Sequence, residues 1–527
     1  MSMPKVILVG SGPAAVGAAL ALTDRGACEV TVLDVGNRLP EKLVSIREKL
    51  AASPRQEWSV GEVAEITANS SAPKGHALPQ KRSYGSAFPF EDVGQLEGIR
   101  ADINANASVV SGAYGGFSNV WGSQIMPFSA TSFDEWPCSF GGMEPHYRRI
   151  LQEVPLAAEV DSLAEDFPLI RATSSLPVPS ERTVAVLRRA KAKDALLRRH
   201  GVRVGNARLA FRASNCVLCG LCMTGCPHEL IYSASQTFDR LRRQGKVRYI
   251  GGVLVTRVGQ EGESCSVRGR ELSSGKFVEF RADRVFVACG GIGTTRLVLG
   301  SLREPPQKVE LLESIQFGVP LVSRRPVGDP RNGDTYTLNQ FNLLVDVSGA
   351  GRDLVQIHCY PYNPIVGESL PQVLRGRMLE PLSQELLRRM TVGLGYLPSW
   401  ASPRVILEQT RREGELPSIR VSGTATSKLP MLRKALRALL RVAPAIDLWP
   451  VRLGSFVSGP AKSYHFGGSF PHAPLRGQRG TDSLGRLLEW DRIHMVDASV
   501  FPSIPATTFT LTVMANCLLY TSDAADE

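Results

Sequence analysis

The chain has 527 residues, 43% apolar and 21% charged, the balance of a soluble globular protein long enough for two or three domains. Its formal charge of +11 comes from scattered arginines ("LRRAKAKDALLRRH", "RKALRALLR"), which read as a solvated basic surface with no nucleic-acid motif beside it. No apolar run of about 18 residues is present, so no transmembrane helix is expected. The opening "MSMPKVILVG" lacks the pattern of a secretory signal, so a cytoplasmic location is expected, with export attached to a partner subunit left open.

"KVILVGSGPAAVGAALALTDRGACEVTVLDVG" predicts strand, tight turn, helix, strand. Val6 to Val9 form the continuous apolar run of a parallel strand buried on both faces. Gly10 and Gly12 allow the turn and a close approach of backbone to a pyrophosphate, and Ala15 takes the third small position, where helix packs on sheet. The helix offers its N-terminal N–H groups to phosphate. Asp34 ends the second strand, placed to accept from an adenosine ribose. This reads as a dinucleotide site, with a nucleotide-free Rossmann-like unit as the alternative, and the fingerprint alone leaves FAD and NAD open.

Residues 51–94 are polar and turn-rich and read as a lid over the cofactor; 151–199 read as a connector followed by the basic helix "ERTVAVLRRAKAKDALLRRHG". Cys216, Cys219, Cys222 and Cys226, followed by Pro227, then repeat the C-x2-C-x2-C-x3-C-P run of bacterial ferredoxins. Thiolates so spaced wrap an iron–sulfur cluster, [4Fe–4S] with four ligands or [3Fe–4S] with three. Zinc and a metal-free cysteine loop remain alternatives. Cys28, Cys138, Cys265, Cys289 and Cys359 are isolated and read as buried small hydrophobes. Downstream, "ADRVFVACGGIGTTRLVLGSL" is a second strand, glycine turn (Gly290, Gly291, Gly293) and helix. Alternating runs such as "DTYTLNQFNLLVDV" and "DLVQIHCYPYNP" predict an antiparallel sheet within 306–454, followed by the helix "LPMLRKALRALLRV". The last eleven residues, "CLLYTSDAADE", read as a translated sequencing-library adapter, with a natural tail as the alternative, and are set aside.

Four pieces in order, the fingerprint, "GAYGGFSNVWGSQIMPF", the second glycine turn and "RIHMVDASVFPSIP", resemble the glucose–methanol–choline (GMC) family of FAD-dependent oxidoreductases. The resemblance implies an α/β fold: a discontinuous Rossmann-like FAD-binding domain over 1–50, 95–150, 200–305 and 455–516, with the cysteine motif inserted at about 212–230. A substrate domain with a mostly antiparallel sheet would take 306–454. By matching positions, Gly10, Gly12 and Asp34 hold the ADP half of FAD; Gly115, Gly116, Ser118 and Asn119 lie along the pyrophosphate and flavin; Val255 contacts the adenine; Asp497 and Ala498 face the ribityl and pyrophosphate. Trp121 and Trp136 read as core aromatics.

The resemblance also makes His465, in "KSYHFGGSFP", the catalytic base, a role that suits an imidazole taking a hydroxyl proton while hydride leaves for flavin. Where the family places a second His or Asn, this chain has Thr508, which hydrogen-bonds but is no comparable base. Asn516 is a weaker second choice, and His472 and His494 read as structural. The expectation is a dehydrogenase oxidising a CH–OH group of a sugar, polyol or related alcohol, with electrons leaving through the cluster to an acceptor protein. A flavin-dependent reductase fed through the cysteine centre and a non-catalytic flavoprotein subunit are the alternatives.

Overall fold

The computed structural model describes residues 3–68, 82–90, 99–101, 110–328, 334–361, 385–411, 416–424, 429–472 and 479–526. Residues 69–81 and 91–94 of the expected lid at 51–94 lie outside them; its described start holds the end of helix Glu41–Ala52 and helix Val60–Thr67. No helix among the described residues is long and apolar enough to cross a membrane.

Strand Lys5–Val9 is buried at every position after Lys5, because both its faces are covered. It sits at the centre of a five-stranded parallel sheet, in the order Ile493–Met495, Arg284–Val287, Lys5–Val9, Glu29–Leu33, Val247–Ile250. Parallel neighbours need long crossovers, so one sheet draws on segments hundreds of residues apart. The fingerprint helix Pro13–Arg25 is buried continuously from Ala14 to Thr23. One side meets the sheet; the other meets the helix Thr510–Asp526, where a Cβ on Gly17 would strike the Met514 carbonyl oxygen. Residues 517–526, set aside above, continue that last helix, with Cys517, Thr521 and Ala524 buried.

A seven-stranded antiparallel sheet stands beside this unit, running Trp449–Pro450, Gln316–Val322, Met390–Tyr396, Leu354–Tyr360, Phe341–Asp346, Val202–Asn206, with Phe456–Val457 added on Gln316–Val322. The strand Val202–Asn206, expected with the cofactor-binding segment 200–305, belongs to this sheet. The register pairs Gln316 with Tyr396, Tyr396 with Gln356, and His358 with Asn342. Directly opposed residues share a face, so these five polar or amphipathic side chains line one side. Phe317, Val319, Leu321, Val355 and Ile357 line the other. Helix Pro430–Ile446 covers that second face with Ala435, Leu439, Val442 and Ile446, and each large side chain so buried contributes about 1.5–3 kcal/mol.

A further sheet, Phe466–Gly467, Lys308–Glu313, Val405–Arg411, Ser418–Gly423 and Ile99–Ala101, packs Leu311, Val405 and Leu407 on Ile292 and Leu299 of helix Gly291–Ser301. Its strand Phe466–Gly467, paired with Leu312 and Glu313, directly follows His465 and holds that residue in place.

Candidate active site

A cavity of about 290 Å³ opens at the C-terminal ends of the parallel strands, close to the lower end of the usual ~300–1,000 Å³ small-ligand range. Gly10, Gly12 and Asp34 line one end; Gly116, Ser118, Asp497 and Ala498 line the middle; Val255 and His465 also line it. Ala15 is buried within the helix and serves packing instead.

At the end lined by Gly10 and Asp34, Gly12 begins the fingerprint helix with no side-chain cap, so the first-turn N–H groups are left for a ligand. A Cβ on Gly12 would meet nothing within 4 Å: the space before this helix end is open. These features fit the diphosphate of a dinucleotide. Asp34 accepts hydrogen bonds from the Ser11 hydroxyl and from Tyr249 Oη (3.0 Å); burial pushes its carboxyl up to about 6, against the opposing pull of those hydrogen bonds. Gly115 N–H donates to Ser11 Oγ (2.9 Å), and Asn119 Nδ2 donates to the carbonyls of Tyr114 (3.0 Å) and Gly116 (2.8 Å). Gly115 and Asn119 therefore build the turn that presents Gly116 and Ser118. The Asp497 carboxylate accepts from Gly290 N–H (2.8 Å), Thr294 Oγ1 (2.5 Å) and Ser499 N–H (2.9 Å), tying the second glycine turn to the chain after Ile493–Met495. Trp136 is core as expected, packed on Phe128, Phe133 and Phe501. Trp121 differs, because it also lines the cavity.

At the other end His465 is half-buried, its ring stacked on Tyr396 (4.3 Å between centroids, 19°) and edge-on to Phe509 (4.8 Å). Its Nδ1 is buried with no protein partner. Burial, with His358 adding, pushes the imidazole down to about 3, so the ring is neutral and the same shift weakens it as a proton acceptor. Thr508 is buried with its Oγ1 unpaired, and its neighbours Phe509 and Thr510, rather than Thr508, line the cavity. Asn516 is buried away from it. His472 and His494 bond the backbone carbonyls of Asp482 (2.7 Å) and Leu484 (3.0 Å), structural roles as expected.

Glu313 is linked to the histidine's backbone through Ser463, whose Oγ accepts from His465 N–H (3.0 Å). Its carboxylate accepts from Ser463 Oγ (2.8 Å) and from the backbone of Ala461 and Ser463, in a loop where Ala461 and Tyr464 hold strained φ of 60° and 58°. Burial pushes its carboxyl up to about 7. A raised acid stabilises the fold fully below its unfolded pKa and loses that contribution as pH rises through the folded value. Glu313→Gln cannot ionise and is therefore expected to show a smaller fall in Tm than the parent between pH 6 and pH 8. Equal slopes in thermal melts at the two pH values would refute this.

Sequence reading missed Glu313, Tyr396 and His358. The signal present was alternation: in "QIHCY" the polar Gln356 and His358 recur every second residue of an otherwise apolar strand.

The four motif cysteines do come together in one loop, curled by positive φ at Leu218, Gly220 and Gly225. Cys226 feels Cys222 and Cys219 electrostatically, and Cys216 feels Cys222. Among the described residues, however, no three Cys, His, Asp or Glu side chains converge to hold a metal ion. Burial pushes the Cys219 thiol up to about 11 and the Cys226 thiol up to about 12 in the metal-free loop. As folded, the loop packs with Phe211, Leu230 and Leu338 as small hydrophobes do. The expected iron–sulfur centre thus finds no ready ligand set. Cys265 and Cys359 are buried as expected, Cys28 and Cys138 are half-buried, and Cys289 lines the cavity.

No protein-family profile and no curated protein matches this chain. Among solved structures it is similar to pyridoxine 4-oxidase from Mesorbium loti, with a TM-score of 0.64 and 13% identity over 99% of each chain. The likeness establishes the fold, a mixed α/β architecture shared with that structure.

Proposed function

We propose that this chain is an FAD-dependent oxidoreductase acting on a CH–OH group of a sugar, polyol or related alcohol. The observation that carries the reading is a single cavity joining an uncapped helix N-terminus at Gly12 to the neutral imidazole of His465. Gly10, Gly12 and Asp34 would hold the ADP half of FAD, and Gly116, Ser118, Asp497 and Ala498 its middle. FAD, when bound, supplies the hydride acceptor. His465 takes the hydroxyl proton at Nε2, and Tyr396 and Phe509 fix the plane of its ring. Phe117, Tyr464 and Phe90, in contact at 5.1–6.5 Å, help exclude water from the cavity.

Anaerobic addition of alcohols, pyridoxine included because the structural neighbour is named for it, is expected to bleach the flavin band. Bleaching only by dithionite or ferredoxin favours the reductase alternative, and bleaching by neither favours a binding subunit. The dehydrogenase form, with electrons leaving through a cysteine-bound cluster to an acceptor protein, is supported by the spacing of Cys216, Cys219, Cys222 and Cys226. Three or four irons per chain with matching sulfide after anaerobic purification would support it. Absence of both would leave O₂ or a small carrier as acceptor.

A further inference from the structure

We propose that Tyr249 is a positioning residue for the cofactor: its hydroxyl fixes the Asp34 carboxylate so that one acceptor position is left for a ribose hydroxyl. This rests on the FAD reading above and adds to it a residue more than two hundred positions from the fingerprint. Asp34 is among the described residues that line the cavity and Tyr249 is not, so Tyr249 acts through the carboxylate. It sits on the edge strand Val247–Ile250, paired with Val32, two residues before Asp34. The Tyr249 hydroxyl donates to Asp34 Oδ2 (3.0 Å), and the Ser11 hydroxyl donates to the same oxygen. Val35 N–H adds a third bond to the carboxylate. An ionised carboxylate has about four acceptor positions. Three are used within the protein, and one is left for a ligand.

The chain makes room for this phenol. A Cβ on Gly36, at φ +74°, would strike the Tyr249 hydroxyl, and one on Gly251 would lie 3.1 Å from the ring edge. Larger residues at either position would push the hydroxyl off Asp34. Tyr114 packs edge-on against the ring at 4.7 Å, itself tied to Asp239 through its own hydroxyl (2.8 Å). The Arg242 guanidinium lies 5.3 Å from the ring centre. Two glycines, an aromatic edge and a cation thus fix where the hydroxyl points. The direction of the hydrogen bond is fixed as well. Burial, then the Asp34 charge, raises the Tyr249 phenol above its ordinary value, so it remains a donor. The carboxylate in turn remains the acceptor, as a ribose hydroxyl requires.

The test is a double-mutant cycle on FAD affinity, titrating the whole chain stripped of flavin. Tyr249→Phe keeps the ring between the two glycines and loses only the hydroxyl. It is expected to weaken FAD binding about 5- to 30-fold in the parent, and less than about twofold in an Asp34→Asn background. Parent-like binding by Tyr249→Phe, or an equal loss in both backgrounds, overturns the proposal. If Asp34→Asn binds too little FAD to measure, the pH profile decides. The charged groups acting on Asp34 are Arg38 beside it and, around the Tyr249 ring, Arg242 and Asp239, with the Cys289 thiol also within electrostatic reach. All of these stay in Tyr249→Phe, whereas one donor to the carboxylate is gone. The acid-side loss of FAD affinity, near pH 6 in the parent, should therefore move to higher pH, and an unmoved limb overturns the proposal. ADP, which carries the ribose and diphosphate without the flavin, separates the two readings. A parent that binds ADP but no FAD sinks the flavin reading, and the cycle run with ADP still decides Tyr249. Binding of neither overturns both.

Discussion

His465→Asn is expected to slow alcohol-driven flavin reduction about 10²- to 10⁴-fold while leaving the flavin content unchanged. Asparagine keeps a hydrogen-bonding group beside Tyr396 but has no nitrogen that takes a proton. The nucleotide end of the cavity, built from Gly10, Gly12 and Asp34, is untouched by the change. The pH profile adds a second readout. An imidazole held down to about 3 stays neutral, and so competent, through the range where an ordinary histidine takes up its proton. The parent's kcat/KM should therefore lack an acid limb near 6.5 and fall only well below pH 5. A rate within about threefold of the parent in His465→Asn would remove His465 from the chemistry.

Gly10→Ala and Gly12→Ala are expected to lose flavin for different reasons, and the contrast is the second test. Gly10 has φ +102°, and a Cβ there would lie 2.6 Å from the Ala288 carbonyl oxygen at the end of the neighbouring strand. Alanine at this position costs about 1–3 kcal/mol in backbone strain, before the clash is counted. Tm should fall along with flavin content. Gly12 has φ −71° and ψ −177°, which alanine adopts freely, and its Cβ would meet nothing within 4 Å. Gly12→Ala should keep the parent Tm of the flavin-free protein and yet bind flavin at least about tenfold more weakly, because the methyl occupies the space at the uncapped helix end. Stoichiometric flavin in purified Gly12→Ala would show that the cofactor does not approach that helix.

How far the site was legible follows from the range over which each signal acts. The fingerprint reads directly because Gly10, Gly12 and Asp34 do their work within one strand–turn–helix–strand unit, where spacing alone sets geometry. Alternation in "FNLLVD" and "LVQIHCY" likewise announced an antiparallel sheet, which the pairing of Phe341–Asp346 with Leu354–Tyr360 bears out. The cysteine run was conspicuous by spacing, yet spacing does not set the protonation of Cys219 and Cys226, which burial among apolar neighbours controls. Trp121 was read as core because a large aromatic usually is; only the tertiary arrangement shows the cavity beside it.

By itself the sequence determined the two glycine turns, the strands and helices around them, and the residues able to meet a diphosphate and a ribose. These are local matters of backbone freedom and periodicity. The tertiary structure decided which histidines stand together. His358 and His465 are more than a hundred residues apart, and they become neighbours through Tyr396 only because the register of the seven-stranded sheet turns His358 and Tyr396 to one face. Strand register and burial are properties of the assembled sheet, so the partner of His465 and the protonation of both rings were written in no single segment of the chain.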